Sequence, residues 1–336
     1  MNLNPRIKKI ADRLLKFLQL QLFITLISFP ILVSWGLPIS LLSPIGNLIF
    51  APVLSLFLLL SSLMFFTSLL YIPNGLLCFL LEKVTTWWIA IMANANNSWL
   101  FGFAKPSWFV LIIIPILALV LLHIRFIRSH LISTLCFLAL FILCCGYIYL
   151  THSNNRTYME SIACNRGSIT LIHHNNTVTI IDPGVIGQSI AAPTWVEYTL
   201  MPAITKITGR TTIDHLILMQ PGSMLFQAIA TLAQKMIIKN TYLTCWQGTV
   251  SKYEWANFFK LKEALNNNHC MFKRIGTKPI PIAISSNDQL IITPTEHLIT
   301  TKQIKYPAVT VAGSFGTHTC CVTSYKKEMS DKKKNA

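Results

Sequence analysis

Charge is scarce in this chain, and negative charge scarcest. Of its 336 residues 12% are charged, and 12 Asp and Glu face 28 Lys and Arg. A soluble globular protein carries roughly 25% charged residues, so an ordinary, wholly soluble chain is excluded. The deficit is uneven. Residues 1–150 hold 9 Lys and Arg and 2 Asp and Glu, whereas residues 151–336 hold 19 and 10. The first half is apolar sequence with basic punctuation. The second half reads as a basic globular domain large enough for its own core. Several chemistries are missing too. No Walker loop, G-x-S-x-G or H-E-x-x-H occurs, which removes the phosphate-binding loop, the serine-hydrolase elbow and the zincin helix. The nine cysteines include no C-x-x-C. Cys78, Cys136, Cys144 and Cys145 lie in apolar sequence; the other five lie in the second half, an odd number that argues against a disulfide framework and a zinc ribbon. His318, Cys320 and Cys321 form a soft cluster without the spacing of a closed zinc site.

What the sequence does contain begins with long apolar runs. Phe17–Trp35, Ile45–Leu70, Trp108–His123 and Leu131–Leu150 read as membrane spans, each near the roughly 20 residues a bilayer needs. Gly75–Met92 is apolar but carries Glu82 and Lys83 near its middle; it spans with that pair facing protein, or it lies in the interface. Asn94–Lys105, with Trp99, Phe101 and Phe103, reads as interfacial. Arg6, Lys8, Lys9, Arg13 and Lys16 place the basic segment 1–16 in the cytoplasm, and Arg125 and Arg128 place the 123–130 loop there as well. Both hold only if Gly75–Met92 spans. The expectation is then five spans in the cytoplasmic membrane, with the second half on its outer side; without that span the loop and the second half change sides. No small-residue cleavage site follows the first apolar run, so it does not read as a cleaved signal peptide. Within Leu42–Leu56, Asn47 and Pro52 put an amide and a helix break into apolar sequence, which marks a pore or helix-packing site in place of lipid contact.

In the second half, Ser168–His174 and Thr177–Asp182 read as strands joined by a two-residue Asn175-Asn176 turn, with His173 and His174 facing solvent. Asp182, before Pro183-Gly184, caps or orients a turn. Trp195–Ile207 reads as a helix, Thr212–Met219 as a buried strand, Ser223–Ile238 as an amphipathic helix, Tyr242–Trp246 as a strand and Lys252–Asn266 as a helix. Alternation sends Asp214 and His215 to opposite faces. Ile280–Ile284, Gln289–Ile292 and Ala308–Val311 read as strands, Pro281 assigning the first to a sheet edge. The mixture is α/β with hairpins. Lys252, Tyr253, Trp255, Lys260 and Lys262 interleave cations with aromatics, as a single-stranded nucleic-acid platform does. The alternative is an amphipathic helix with aromatics inward and lysines outward. Residues 326–336 read as a solvated, disordered basic tail. The basic balance favours anionic partners, lipid headgroups or nucleic acid.

The run FPILVSWGLPISLLSPIGNLIFAPVLSLFLLLSSLMF resembles the C-terminal part of the membrane competence domain of the ComEC family, bacterial proteins that carry single-stranded DNA across the inner membrane. Asn47 and Pro52 stand at the two fixed positions of that family's N-apolar-apolar-x-x-P pattern, and the likeness covers about residues 15–125. In the second half, Cys164-Asn165-Arg166-Gly167-Ser168 stands where the family has VGQGDA, Ile181-Asp182-Pro183-Gly184 where it has LIDTG, and Ile213–Leu218 where a strand leads into THPHADH. Here that last motif is Met219-Gln220-Pro221-Gly222-Ser223-Met224-Leu225.

The resemblance implies a multi-pass α-helical membrane domain (17–150) followed by an α/β metallo-β-lactamase-like domain (151–325) of the αββα type, degenerate and incomplete. It implies that the ligand positions are lost at Gln220, Gly222, Met224 and Leu225, none of which is a good zinc ligand. Hydrolysis in that fold relies on metal-bound water, so the expectation is no catalytic metal, no cofactor and no nuclease activity. The implied function is part of a DNA-uptake channel. Its partners would be membrane lipid, single-stranded DNA and further competence or membrane subunits supplying the missing helices; longer members also carry an N-terminal OB-like domain. The alternatives are a membrane-anchored pseudoenzyme or scaffold that conducts nothing, and a membrane-bound metallo-hydrolase, which the missing ligands disfavour.

Overall fold

A computed structural model of the chain describes residues 5–40, 43–93, 100–123, 130–152, 157–164, 167–188, 191–284, 288–301, 304–315 and 318–324. The chain divides into two compact units, Met1–Tyr149 and Leu150–Ala336.

The first unit is built from α1 (Pro5–Trp35), β1 (Ile39–Ser40), α2 (Ser43–Leu69), α3 (Gly75–Ala93), β2 (Leu100–Phe101), α4 (Trp108–His123) and α5 (His130–His152), with β1 and β2 paired antiparallel. On α1 the buried residues Leu22, Leu26, Phe29 and Val33 recur every three or four positions and form one stripe. That stripe packs with Ile114 and Ala118 of α4 and with Phe137 and Phe141 of α5. α2 has no such stripe: Leu54, Leu56, Leu58 and Leu59 are all exposed. Apolar residues all round a helix are the pattern of one surrounded by lipid or other protein.

Among the described residues, three helices are long and apolar enough to cross a membrane: Asp12–Trp35, Phe50–Leu69 and Leu131–Leu150. The sequence reading expected five spans. Trp108–His123 is apolar but shorter; its 16 residues rise only about 24 Å against a hydrocarbon core of about 30 Å. α3 is helical but diluted by Glu82, Lys83 and two threonines. Arg125, Arg128 and Trp99 lie outside the described residues, as does the 326–336 tail.

The second unit runs β3 (Tyr158–Cys164), β4 (Gly167–His174), β5 (Thr177–Asp182), α6 (Ala192–Trp195), α7 (Met201–Thr208), β6 (Thr212–Leu218), α8 (Ser223–Lys235), β7 (Ile237–Thr244), β8 (Gln247–Gly248), α9 (Lys252–Asn267), β9 (Met271–Ile275), β10 (Ile280–Ala283), β11 (Gln289–Thr301), β12 (Ile304–Phe315) and β13 (His318–Thr323). A six-stranded sheet has the order β3-β4-β5-β6-β7-β9. Its first three strands are antiparallel, and β5, β6, β7 and β9 are parallel. Asn175 and Asn176 both sit at positive φ, 45° and 68°, in the tight turn between β4 and β5. A second sheet, β10-β11-β12-β13 with β8 added on β12, is wholly antiparallel, and β10 with Pro281 is an edge strand.

The central strands are buried on both faces, as parallel strands are. Leu171, Val178, Ile180, Leu216 and Leu218 face α8 and α9, where Ile229, Leu232 and Leu261 close one core. Ile172, Ile181, Ile217 and Met219 face the second sheet, where Ile282, Leu290, Val311 and Phe315 close another. The unit is thus three layers: helices, mixed sheet, antiparallel sheet. The fourth, helical layer of an αββα sandwich does not occur here among the described residues, because every described element after β9 is a strand. On the outer face of the second sheet Pro281, Ile291, Ala312 and Cys321 align in one exposed row.

Three sequence expectations are corrected. The helix from Ser223 stops at Lys235 instead of Ile238, and the next strand starts at Ile237 instead of Tyr242. The C-cap Met236 is already extended (φ −123°, ψ 148°), so apolar residues run from helix into strand without a break in pattern. Strands β3, β9 and β13 were not foreseen, and β11 and β12 run past the short segments expected. His173 and His174 are buried, not solvent-facing. β3 pairs along β4 up to His173, while the His174 ring meets Thr157 and Asp288, each at 2.7 Å.

Candidate functional site

The parallel strands β5 and β6 end side by side, and the chain turns sharply after each. After β5, the buried Asp182 closes the turn: its Oδ1 accepts the backbone N–H groups of Gly184, Val185 and Ile186 at 3.0, 2.8 and 3.4 Å. Gly184 sits at φ +105°, which a side chain would strain. The Met219 N–H donates to the Asp182 carbonyl at 3.1 Å, so the two strand ends are tied together. After β6, Gln220-Pro221-Gly222 leads directly into α8, whose N-cap Gly222 offers no capping side chain.

These two turns are the floor and one wall of a cleft of about 640 Å³. Gly184, Gly187 and Gln188 line it from the first turn, and residues Gln220 to Leu225 from the second. The opposite wall is Thr249, Val250, Ser251 and Glu254 at the start of α9, and Tyr306 reaches in from β12. The position is where ligands of α/β proteins gather, beyond the carboxyl ends of parallel strands.

The chemistry of the lining is nearly neutral. Its one charged side chain, Glu254, accepts from the Ser251 N–H at 3.0 Å and belongs to the capping box that starts α9. Ser223 Oγ accepts from Asn257 Nδ2 at 2.7 Å, which locks α8 to α9 beside the cleft. The Gln220 side chain lies against Gly184, so close that a Cβ there would fall 2.1 Å from it. Leu225 is buried in the core, and Met224 is half-buried.

The cleft therefore brings together all four positions where the resemblance places lost metal ligands: Gln220, Gly222, Met224 and Leu225. Their donors do not fit a hydrolytic metal. An amide, a bare backbone, a thioether and an alkyl group offer neither imidazole nor carboxylate. Among the described residues no group of three or more His, Cys, Asp or Glu is placed to hold a metal ion. His318 and Cys321 are exposed on β13 while Cys320 points into the core, where burial pushes its thiol up to about 11. Burial also pushes Asp182 up to about 6 against the lowering by its three N–H donors, and raises Cys164 to about 11, with the Asp182 charge adding to the rise. These two groups lie beneath the cleft rather than on its lining. Asp214 and His215 do separate as alternation requires. Asp214 accepts from the Val178 N–H, and the His215 ring lies against Tyr242, where burial lowers its pKa.

The five residues read as a nucleic-acid platform all lie on α9, but not on one face. At about 100° per residue, Lys252, Trp255 and Lys262 share a flank with Phe259, whereas Tyr253 and Lys260 share another. Only Phe258 of the helix's aromatics is fully inward; Tyr253, Trp255 and Phe259 are 61%, 40% and 59% exposed. Trp255 packs on Phe259 and on Trp246, with ring centroids 5.8 and 6.4 Å apart. Neither simple reading of this helix, all aromatics inward or all on a platform, describes it. In the first unit Asn47 Nδ2 donates to Gln21 Oε1 at 3.0 Å, linking α2 to α1, and Pro52 lies exposed inside α2.

No family model, curated protein or solved structure matches this chain.

Proposed function

We propose that this chain is a ComEC-like integral membrane protein, a component of a DNA-uptake channel in the cytoplasmic membrane, whose soluble unit is metallo-β-lactamase-like in layout and has no nuclease activity of its own. The observation that carries the reading is the coincidence of motif order with geometry. The IDPG turn and the Gln220–Leu225 turn, matched separately to family motifs, lie at adjacent strand ends and line one cleft. Three apolar helices of membrane length precede that unit, as the family order requires. The five-span topology, an outer placement of the soluble unit, and partner subunits that cover the apolar α2 belong to the same proposal. The test is uptake of labelled DNA by an otherwise competent strain lacking the chain. Loss of uptake, restored by the wild-type sequence, is the expected outcome; undiminished uptake sinks the proposal.

One observation favours a second reading, a membrane-anchored binding protein that conducts nothing. The Asn47 amide is engaged by Gln21 of the neighbouring helix, which suits helix packing better than a pore lining. In that case Asn47→Ala leaves uptake untouched and lowers only the stability of the first unit.

A further inference from the structure

Helix α3 has two unlike sides. Leu77, Leu81, Val84, Thr85 and Trp88 are half-buried and recur as one stripe. That stripe faces α2, where the Trp88 ring lies 5.5 Å from Phe50. The side turned away from α2 carries the helix's charges. At about 100° per residue, Phe79, Thr86 and Ala90 lie within about 20° of one line along it. Glu82 stands about 60° to one flank of that line and Lys83 about 40° to the other. All five are exposed in the chain.

Glu82 and Lys83 are the eighth and ninth of the 19 residues of α3. The helix rises about 28 Å, close to the roughly 30 Å of a hydrocarbon core, so the pair sits near mid-membrane when α3 spans. Adjacent residues of a helix do not face each other, and among the described residues Glu82 enters no ion pair. Lys83 Nζ lies 5.4 Å from the Phe79 ring centroid. The Thr86 hydroxyl is turned back to the Glu82 carbonyl at 2.8 Å. Ionised side chains at that depth are costly against acyl chains and face protein or a water-filled cavity.

We infer that this side of α3 is a contact between two copies of the chain, packed about a two-fold axis along the bilayer normal, with Glu82 of each copy paired to Lys83 of the other. The inference rests on the five-span reading proposed above, since α3 must lie in the bilayer. Copies inserted the same way round have parallel α3 helices. Two-fold symmetry then sets the flank that bears Glu82 on one copy against the flank that bears Lys83 on the other, twice over. The two residues differ in height by about 1.5 Å, well within side-chain reach. Thr86 and Ala90 lie along the axis and are small enough for close approach of the backbones. Acyl chains satisfy neither charge. An unrelated helix would need an acid and a base at the same height and on matching flanks, which a second copy already carries.

The test co-expresses two differently tagged copies of the full chain, captures one tag from detergent-solubilised membranes and measures recovery of the other. Wild-type copies are expected to be recovered together. Glu82→Lys in both copies, or Lys83→Glu in both, is expected to lower that recovery several-fold. Glu82→Lys in one copy with Lys83→Glu in the other is expected to restore it, and misfolding of either variant would not give that rescue. Unchanged recovery with each single variant, or no rescue by the mixed pair, overturns the inference. A photoreactive amino acid at Thr86 in the otherwise wild-type chain tests the contact in intact membranes. An adduct carrying both tags is expected. Adducts to lipid alone, or to a different polypeptide, overturn the inference and leave α3 in the bilayer. Release of the chain from membranes by alkaline carbonate removes the inference and the membrane reading together.

Discussion

Asp182 shows how one residue carries both the fold and the cleft above it. One carboxylate oxygen gathers three N–H groups, while the other, Oδ2, is buried without a hydrogen-bond partner. Removing the acceptor and removing the charge should therefore differ. Asp182→Ala leaves three buried donors unsatisfied and is expected to cost about 2–4 kcal/mol. Asp182→Asn keeps an acceptor for them and loses the charge, so its cost at neutral pH should be well under half of that. The sign with pH follows from burial, which holds the folded pKa at about 6, above the unfolded value of about 4. The folded state then binds the proton more tightly, and wild-type stability falls as pH rises from about 4 to about 6, by on the order of 2–3 kcal/mol. Thermal unfolding of the purified protein across that range checks both statements: the wild type loses stability and the Asn variant does not. A flat wild-type profile would show that Asp182 stays solvated. That Asp182 would orient a turn was legible from its place before Pro183-Gly184. Its burial was not, because burial depends on α8 and Met219, which arrive from more than thirty residues away.

At the scale of elements, the joint between the β5 and β6 turns sets the cleft's shape. Gly184 is held at positive φ, and the Gln220 side chain fills the space a Cβ would need. Gly184→Ala is expected to destabilise the protein by about 2–3 kcal/mol, part from backbone strain and part from the collision. Gln220→Ala relieves the collision and leaves the backbone strain at position 184. A double-mutant cycle in denaturant should show about 1 kcal/mol of coupling between the two sites; additive effects would mean that Gln220 swings away and the cleft is wider than drawn. The elements themselves were readable wherever a pattern has one source. Asn175-Asn176 fixed a two-residue turn, the Lys252–Asn266 run read as the helix that is α9, and alternation separated Asp214 from His215. Boundaries failed where two patterns merge. Met236, Ile237 and Ile238 continue the apolar rhythm of α8 while already serving β7. Strands β3, β9 and β13 escaped because each is an outer strand of its sheet, half exposed, with too little alternation to declare itself. Gly184 and Gln220 to Leu225 of the cleft were named from sequence, but Tyr306 and Thr249–Ser251 were not, since only the pairing of β8 with β12 brings them near Gln220.

At the scale of the whole chain, the proposed metallo-β-lactamase-like reading raises the question of whether the cleft holds a metal. The lining groups argue against it one by one. Gln220 is packed on Gly184, Gly222 has no side chain, Leu225 is committed to the core, and Glu254 is spent on capping α9. A metal held there would have few strong donors, and the soluble unit would have to fold without its binding energy. That energy is measurable by linkage: a ligand that binds only the folded state at a hundred times its dissociation constant adds about 2.7 kcal/mol of stability. The purified chain is therefore expected to contain substoichiometric zinc, manganese and iron by elemental analysis. Its unfolding midpoint should move neither with a strong chelator nor with excess of each cation. A stoichiometric ion, or a chelator that lowers the midpoint by several degrees, would overturn this expectation and return the metallo-hydrolase alternative to the front. The two measurements are needed together, since a loosely held ion escapes elemental analysis but not a stability shift. If neither responds, the two sheets and their helices stand on their apolar cores alone, and the 640 Å³ cleft must work through its amides, hydroxyls and backbone N–H groups.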